Sequence, residues 1–306
     1  MRKTSLNQIY ELAKVNDKII FLGSDLGPDV LSQMKSEFSN RFFMEGISEQ
    51  HIIGMAAGMA LEGYLPYVNT ISTFLTRRSF EQIAIDICLH NLPVCLIGNG
   101  GGGVYAPLGP THIAIEDIAI LRSLPNMTII APCDANEMIR VIKATANYGK
   151  PVYIRLAKGG DEIVSKEHIP FQIGKGIILK NIVKNTFITT GVMTQLALKV
   201  CKKLEQNGIP CGVLHLHTIK PLDKEILKNN LHNLHSIVTV EEHKKEGGLG
   251  SSILEFCNEH MPEQCSKIKR IGIPDAFPEE YGSQESLLDY WDINENNLYN
   301  QILKAQ

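Results

Sequence analysis

The chain has no Cys-x-x-Cys pair, no excess of one charge sign and no long apolar run. Its seven cysteines, Cys88, Cys95, Cys133, Cys201, Cys211, Cys257 and Cys265, are scattered and odd in number. That fits a reducing compartment rather than a disulfide framework. Lys and Arg number 30 against 33 Asp and Glu, a net charge of −3. The densest basic group, Lys267-Ile268-Lys269-Arg270, is too short to form a patch. No nucleic acid and no membrane surface is therefore expected as a partner. No apolar run approaches the ~20 residues of a membrane span. The start, Met1-Arg2-Lys3-Thr4-Ser5-Leu6, lacks the apolar core of a secretory signal. A cytoplasmic protein is expected.

What is present is alternation. Lys18–Leu22, Tyr67–Ile71, Val94–Ile97, Thr128–Ala131 and Val152–Leu156 read as short buried strands. Between them, a segment starting near Glu49, Ser79–Leu89, Glu116–Ser123 and Ala135–Tyr148 read as helices, the last with Asp134 as its cap. Strands alternating with helices imply an α/β fold with a mostly parallel sheet covered on both faces. The hydrophilic stretch 161–174 reads as a linker. The alternation then resumes through Thr186–Thr190, Gln195–Gln206, Cys211–Leu216, Leu222–Asn229, Ser236–Val240, Leu249–His260 and Lys269–Ile273. The expected organisation is two α/β domains, 1–160 and 175–306. Ligands of open α/β sheets bind at the carboxyl ends of strands. Asp25, Phe74 and the Gly98–Gly103 loop all follow predicted strands, so the first domain carries the expected site.

Gly46-Ile47-Ser48-Glu49-Gln50-His51 precedes a run of small residues, Gly54-Met55-Ala56-Ala57-Gly58-Met59-Ala60. Small residues let a ring or a backbone approach closely. An acid there is either functional or a solvated first-turn Glu favoured by the helix dipole. The loop Gly98-Asn99-Gly100-Gly101-Gly102-Gly103 is neither a P-loop nor a dinucleotide fingerprint. His215 and His217 alternate along a strand and share a face. Two His can begin a metal site, but no third ligand is evident nearby, so a structural strand is the expected role and no metal ligand is assigned to this chain.

Several further motifs follow the Gly46–Glu49 segment in fixed order. They are Ser72-Thr73-Phe74-Leu75, Gly109-Pro110-Thr111-His112, Leu121-Arg122 with Pro125-Asn126, and Ala131-Pro132-Cys133-Asp134. Later come Thr218-Ile219-Lys220-Pro221-Leu222-Asp223, Glu241-Glu242-His243 and Gly247-Gly248-Leu249-Gly250-Ser251. From about residue 2 to near its end, the series resembles the C-terminal half of transketolases and of 1-deoxyxylulose-5-phosphate synthases.

The resemblance implies a pyrimidine-binding domain for thiamine diphosphate, then a transketolase C-terminal-like domain. Glu49 matches the acid that holds the cofactor's aminopyrimidine. A carboxylic acid on that ring nitrogen favours the imino tautomer, a base held beside the carbon acid of the thiazolium. Phe74 matches the aromatic that stacks on the aminopyrimidine; by spacing alone it is equally a core Phe. Asp25 matches an acid near the cofactor and is equally a helix cap. His112 matches a catalytic His that contacts substrate. Arg155 and Lys158 fall where a phosphate-binding Arg is found, with a solvated domain-edge pair as the alternative. The Glu241-Glu242-His243 tail is expected to serve packing and dimer contacts.

The chain also departs from the pattern. Leu108 replaces an Asp that reads a substrate hydroxyl, Gly100 stands where an upstream substrate-contacting His falls, Asp29 stands near a phosphate-contacting Ser, and Arg77 replaces a second aromatic. The cofactor half is kept and the sugar-reading half is changed, which implies a non-standard sugar. The sequence contains no Gly-Asp-Gly, the family's signature for holding the diphosphate through Mg²⁺. The chain starts where the pyrimidine-binding domain starts. A separate partner subunit is therefore expected to hold Mg²⁺ and the diphosphate, in an α₂β₂ assembly that transfers a two-carbon ketol unit from a ketose or its phosphate to an aldose. The alternatives are a synthase-like condensation, a 2-oxoacid dehydrogenase beta subunit and a non-catalytic scaffold.

Overall fold

A computed structural model of the protein describes residues 1–24, 31–157 and 159–304. The chain forms two α/β units, each a mostly parallel sheet flanked by helices. The first contains α1 (Arg2–Val15), β1 (Ile19–Gly23), α2 (Ser32–Glu37), β2 (Phe42–Met44), α3 (Glu49–Leu61) and β3 (Leu65–Ile71). Two π-helical segments follow, Phe74–Arg78 and Ile83–Leu89, on either side of one α turn, α4 (Phe80–Gln82). The segment read from sequence as one helix is thus helical but wider in its winding. It still buries Ile83 and Ile87 against the sheet. Then come β4 (Cys95–Asn99), α5 (Asp117–Arg122), β5 (Thr128–Ile130), α6 (Ala135–Thr145) and β6 (Val152–Leu156).

The second unit contains β7 (Ile177–Lys180), β8 (Asn185–Thr189), α7 (Met193–Gln206), β9 (Gly212–His215), β10 (Thr218–Lys220) and α8 (Lys224–Asn230). It continues with β11 (Ser236–Lys244), α9 (Leu249–His260), β12 (Ile268–Ile273), α10 (Gln284–Tyr290) and α11 (Glu295–Leu303). Its sheet runs β12-β11-β8-β9-β7, parallel except where β7 pairs with β9.

The first sheet runs β10-β5-β6-β4-β3-β1-β2. Strands β1, β4 and β6 are buried at every position, as expected for parallel strands covered on both faces. One face packs on α3 and the π-helical stretch, the other on α1 and α6. Asp134 caps α6, its Oδ1 accepting from Glu137 N at 2.8 Å. The edge strand β10 comes from beyond the linker and lies antiparallel on β5. The first sheet is therefore completed by a strand from the C-terminal half.

Further contacts join the two units. Lys220 Nζ donates to Arg122 O at 2.8 Å. Buried His243, on β11, accepts from Ala119 N at 3.2 Å through Nε2, and its Nδ1–H donates to Lys244 O at 2.7 Å. That tautomer leaves no room for a second ring proton. Burial accordingly pushes the His243 imidazolium down to about 4, and His217 likewise to about 4. Between pH 6.5 and about 4 the unfolded chain takes up these protons and the native chain does not, so acidification through that window favours unfolding. Glu241 opposes this, because burial pushes its carboxyl up to about 7. Comparing wild type with His243→Asn isolates the His243 contribution. Urea titrations should show wild-type stability falling more steeply below pH 6.5 than that of the variant, by up to about 3 kcal/mol at pH 4. Parallel pH profiles would refute the assignment.

Candidate active site

Strands β2, β3 and β4 are parallel through β1 and end at one edge of the first sheet. The segments leaving them carry Glu49, Phe74 and the glycine loop respectively. Glu49 is the first residue of α3 and is only 1% exposed. Its Oε2 is 2.6 Å from Arg78 Nη1, and Arg78 is 43% exposed. The Arg78 guanidinium carbon lies 4.5 Å from the centroid of the Phe74 ring, a cation–π contact. Phe74 also meets the His112 imidazole in a T-shaped contact, with centroids 5.1 Å apart. Glu49, Arg78, Phe74 and His112 thus form one connected row. Arg78 was missed from sequence because its partner lies 29 residues away on another element.

The His112 loop is braced from the π-helical stretch. Thr73 Oγ1 donates to His112 O at 3.0 Å, and Arg77 Nη2 donates to Ile113 O at 3.0 Å. Arg77 also pairs with Glu116. The Arg that stands in place of a second aromatic therefore anchors the loop. His112 Nδ1 is 2.9 Å from Thr111 Oγ1, and Nε2 has no protein partner among the described residues.

The glycine loop is filled by the protein itself. Gly100 has φ +76°, and a Cβ there would lie 2.1 Å from the Tyr105 ring. Gly102 has φ +73°, and a Cβ there would lie 2.3 Å from the Glu242 carboxyl carbon. Glu242 Oε1 accepts from Gly103 N at 2.8 Å, and Gln284 Nε2 donates to both Glu242 oxygens. The Glu242 of the C-terminal motif thus pins the loop beside the row.

Arg155 is placed differently from its expected role. It is neither at a solvated edge nor open to an anion. It is 8% exposed, with Nε 2.8 Å from Asp117 Oδ2 and Nη2 donating to Ala114 O and Glu242 O. Asp117 is fully buried, and the Arg155 charge beside it holds its carboxyl below the usual range against the cost of burial. Arg155 joins the two units instead of offering its charge to a ligand. Asp25, Asp29 and Lys158 lie outside the described residues. Leu108 is 51% exposed.

Two family models match. The transketolase pyrimidine binding domain covers residues 1–160, and the transketolase C-terminal domain covers residues 174–298. The chain belongs to the transketolase family. It is 35% identical over 99% of its length to a putative transketolase C-terminal section of Methanocaldococcus jannaschii, matching 95% of that protein. It is 38% identical, over 90% of its length, to the 1-deoxy-D-xylulose-5-phosphate synthase of Halothermothrix orenii, but spans only 43% of that enzyme. Among solved structures, a split-gene transketolase described as an inactive beta4 tetramer matches with TM-score 0.90 and 34% identity, over 99% of this chain and 97% of that one. Among the described residues no helix is long and apolar enough to cross a membrane.

The fit of loop and ring at Gly100 can be tested. Gly100→Ala combines a left-handed backbone with a clash against Tyr105. It should lower stability by about 2 kcal/mol or more in denaturant titration. Gly149→Ala shares the positive φ but meets nothing within 4 Å, so it should cost less. Equal losses would show that ring packing adds nothing.

Proposed function

We propose that the chain is the pyrimidine-binding subunit of a two-chain transketolase dependent on thiamine diphosphate. It would transfer a two-carbon ketol unit from a ketose to an aldose. The observation that carries this is the buried Glu49 carboxylate, linked through Arg78 to Phe74 and His112 where the parallel strands end. Further support comes from the names of two relatives, a C-terminal section and a split-gene transketolase. The sequence has no Gly-Asp-Gly, so a partner subunit would hold Mg²⁺ and the diphosphate, in an α₂β₂ assembly.

The residues present suit an aminopyrimidine. A carboxylate 1% exposed would bond one ring nitrogen, and the Phe74 ring, bridged to it by Arg78, would offer an aromatic face for stacking. When bound, the cofactor supplies the electron sink for carbon–carbon cleavage. Glu49 would hold or accept a proton at that nitrogen. Arg78 now takes both places, pairing with Glu49 and covering Phe74. Its half-exposed side chain would have to swing away for a ring to bond Glu49 and stack on Phe74. His112, anchored through its carbonyl and Nδ1, would present Nε2 to a substrate oxygen. Leu108 and the buried Arg155 offer no group to a sugar among the described residues, which supports a non-standard sugar. The similarity to a deoxyxylulose-phosphate synthase supports one second reading, a condensation that consumes pyruvate.

The test is co-expression with a candidate subunit bearing Gly-Asp-Gly, then assay with thiamine diphosphate, Mg²⁺, ketose donors and an aldose, following products by mass. A two-carbon shift is expected, reduced roughly 10²- to 10⁴-fold by Glu49→Gln. Product that needs pyruvate and releases CO₂ would favour the second reading. Equal turnover by wild type and Glu49→Gln would refute both.

A further inference from the structure

A second cluster of chemistry-bearing side chains lies away from the row, where the linker crosses between the units. Cys133, before α6, and Glu137, in its first turn, come from the first unit; His215, at the end of β9, comes from the second. All three are 0% exposed, and their donor atoms lie within 4.8 Å of one another. We propose that Cys133 Sγ, a Glu137 carboxylate oxygen and His215 Nε2 bind one zinc ion that staples the two units together.

Four observations support a metal here. The first is charge. A thiolate, a carboxylate and a neutral imidazole sum to −2, so a divalent cation neutralises the ligand set, while the neighbouring buried Asp134 carboxylate is held by its own backbone and Ser165 donors. The second is ligand type, because sulfur with imidazole suits zinc. The third is unmet bonding capacity. Among the described residues Glu137 Oε1 is buried without a partner, and so is Nε2 of His217, whose ring centroid is 5.9 Å from that of His215. The fourth position would fall to a water or to His217 after a side-chain shift, with Glu137 Oε1 free to bond that water. The fourth is support from behind. His215 Nδ1 is 2.9 Å from Thr194 Oγ1, which is 2.9 Å from Thr189 Oγ1. That hydroxyl pair can accept the Nδ1 proton and leave the Nε2 lone pair for metal, as outer partners of ligating His do. Asp134 Oδ2 sits 3.7 Å from Cys133 Sγ, but it already accepts from Val164 N and Ser165 N.

His215 Nε2 and Glu137 Oε2 are now 2.9 Å apart, joined by a hydrogen bond. Zinc would replace the shared proton, which shifts to Nδ1. The Cys133 thiol would lose its proton to solvent, so one proton is released per ion bound. Donors in a tetrahedral zinc site stand roughly 3.3–3.8 Å apart, so the side chains need only modest adjustment. Spacing along the sequence showed only the two His of one strand; the other ligands come from the other unit.

The experiment uses the full chain, stripped with chelator and refilled with Zn²⁺ or Co²⁺, beside Cys133→Ser and His215→Asn. Wild type should retain about one zinc per chain after dialysis and melt higher when loaded. Its cobalt form should show a thiolate-to-cobalt charge-transfer band. Cys133→Ser should lose that band and the stoichiometric zinc while keeping the circular dichroism of the wild type. Zinc retention that is equal in wild type and Cys133→Ser would overturn the proposal, because the metal would then sit elsewhere. So would a wild type that holds no zinc, shows no cobalt band and melts unchanged, a result that needs no variant to fold.

Discussion

Glu49 is a carboxylate held almost wholly out of water, answered by one half-exposed arginine. Much of the site follows from keeping it there. An anion this buried needs a counter-charge or a strong hydrogen-bond partner. In this structure the guanidinium of Arg78 provides it and, from the same position, covers Phe74. Position 49 is fixed by the sheet, because β2 ends just before α3 begins and the parallel strands bring β3 and β4 to the same edge. The bond from Thr73 to His112 and the contacts of Arg77 then set the loop against the Phe74 ring.

The second unit does more than cover a face of the first. Its β10 closes the edge of the first sheet, its Glu242 holds the glycine loop, and its Glu242 carbonyl accepts from Arg155. The Arg155–Asp117 pair is deeply buried and bonded on several sides, a setting in which losing one partner is far more costly than at the surface. The shape of the site edge therefore depends on residues more than 80 positions away in the chain.

Much of the architecture was legible in the sequence. Strands such as Val152–Leu156 are short, buried at every position and bounded by breakers, and the Asp134 cap announced α6. What escaped were features set by distant partners. Thr218–Lys220 is a three-residue edge strand whose antiparallel pairing has no periodic signature. The role of Arg155 depends on Asp117, 38 residues away, and a cation beside a strand end reads equally well as a ligand group. Arg78 sits beside Arg77 in the chain, yet the two turn to different acids, Glu49 and Glu116, because successive residues of a helical segment point in different directions. Glu49, Phe74 and His112 were found through motif order rather than local pattern, since each alone has an ordinary structural explanation.

The central claim is that Glu49 belongs to half of a cofactor site that a partner chain completes. Calorimetric titration of thiamine diphosphate with Mg²⁺ tests it most directly, using this chain, the candidate partner and their mixture. The account predicts weak or absent binding to either chain alone and saturable binding of one cofactor per pair in the mixture. Binding to this chain alone as tight as to the mixture, or none to the mixture, would contradict it.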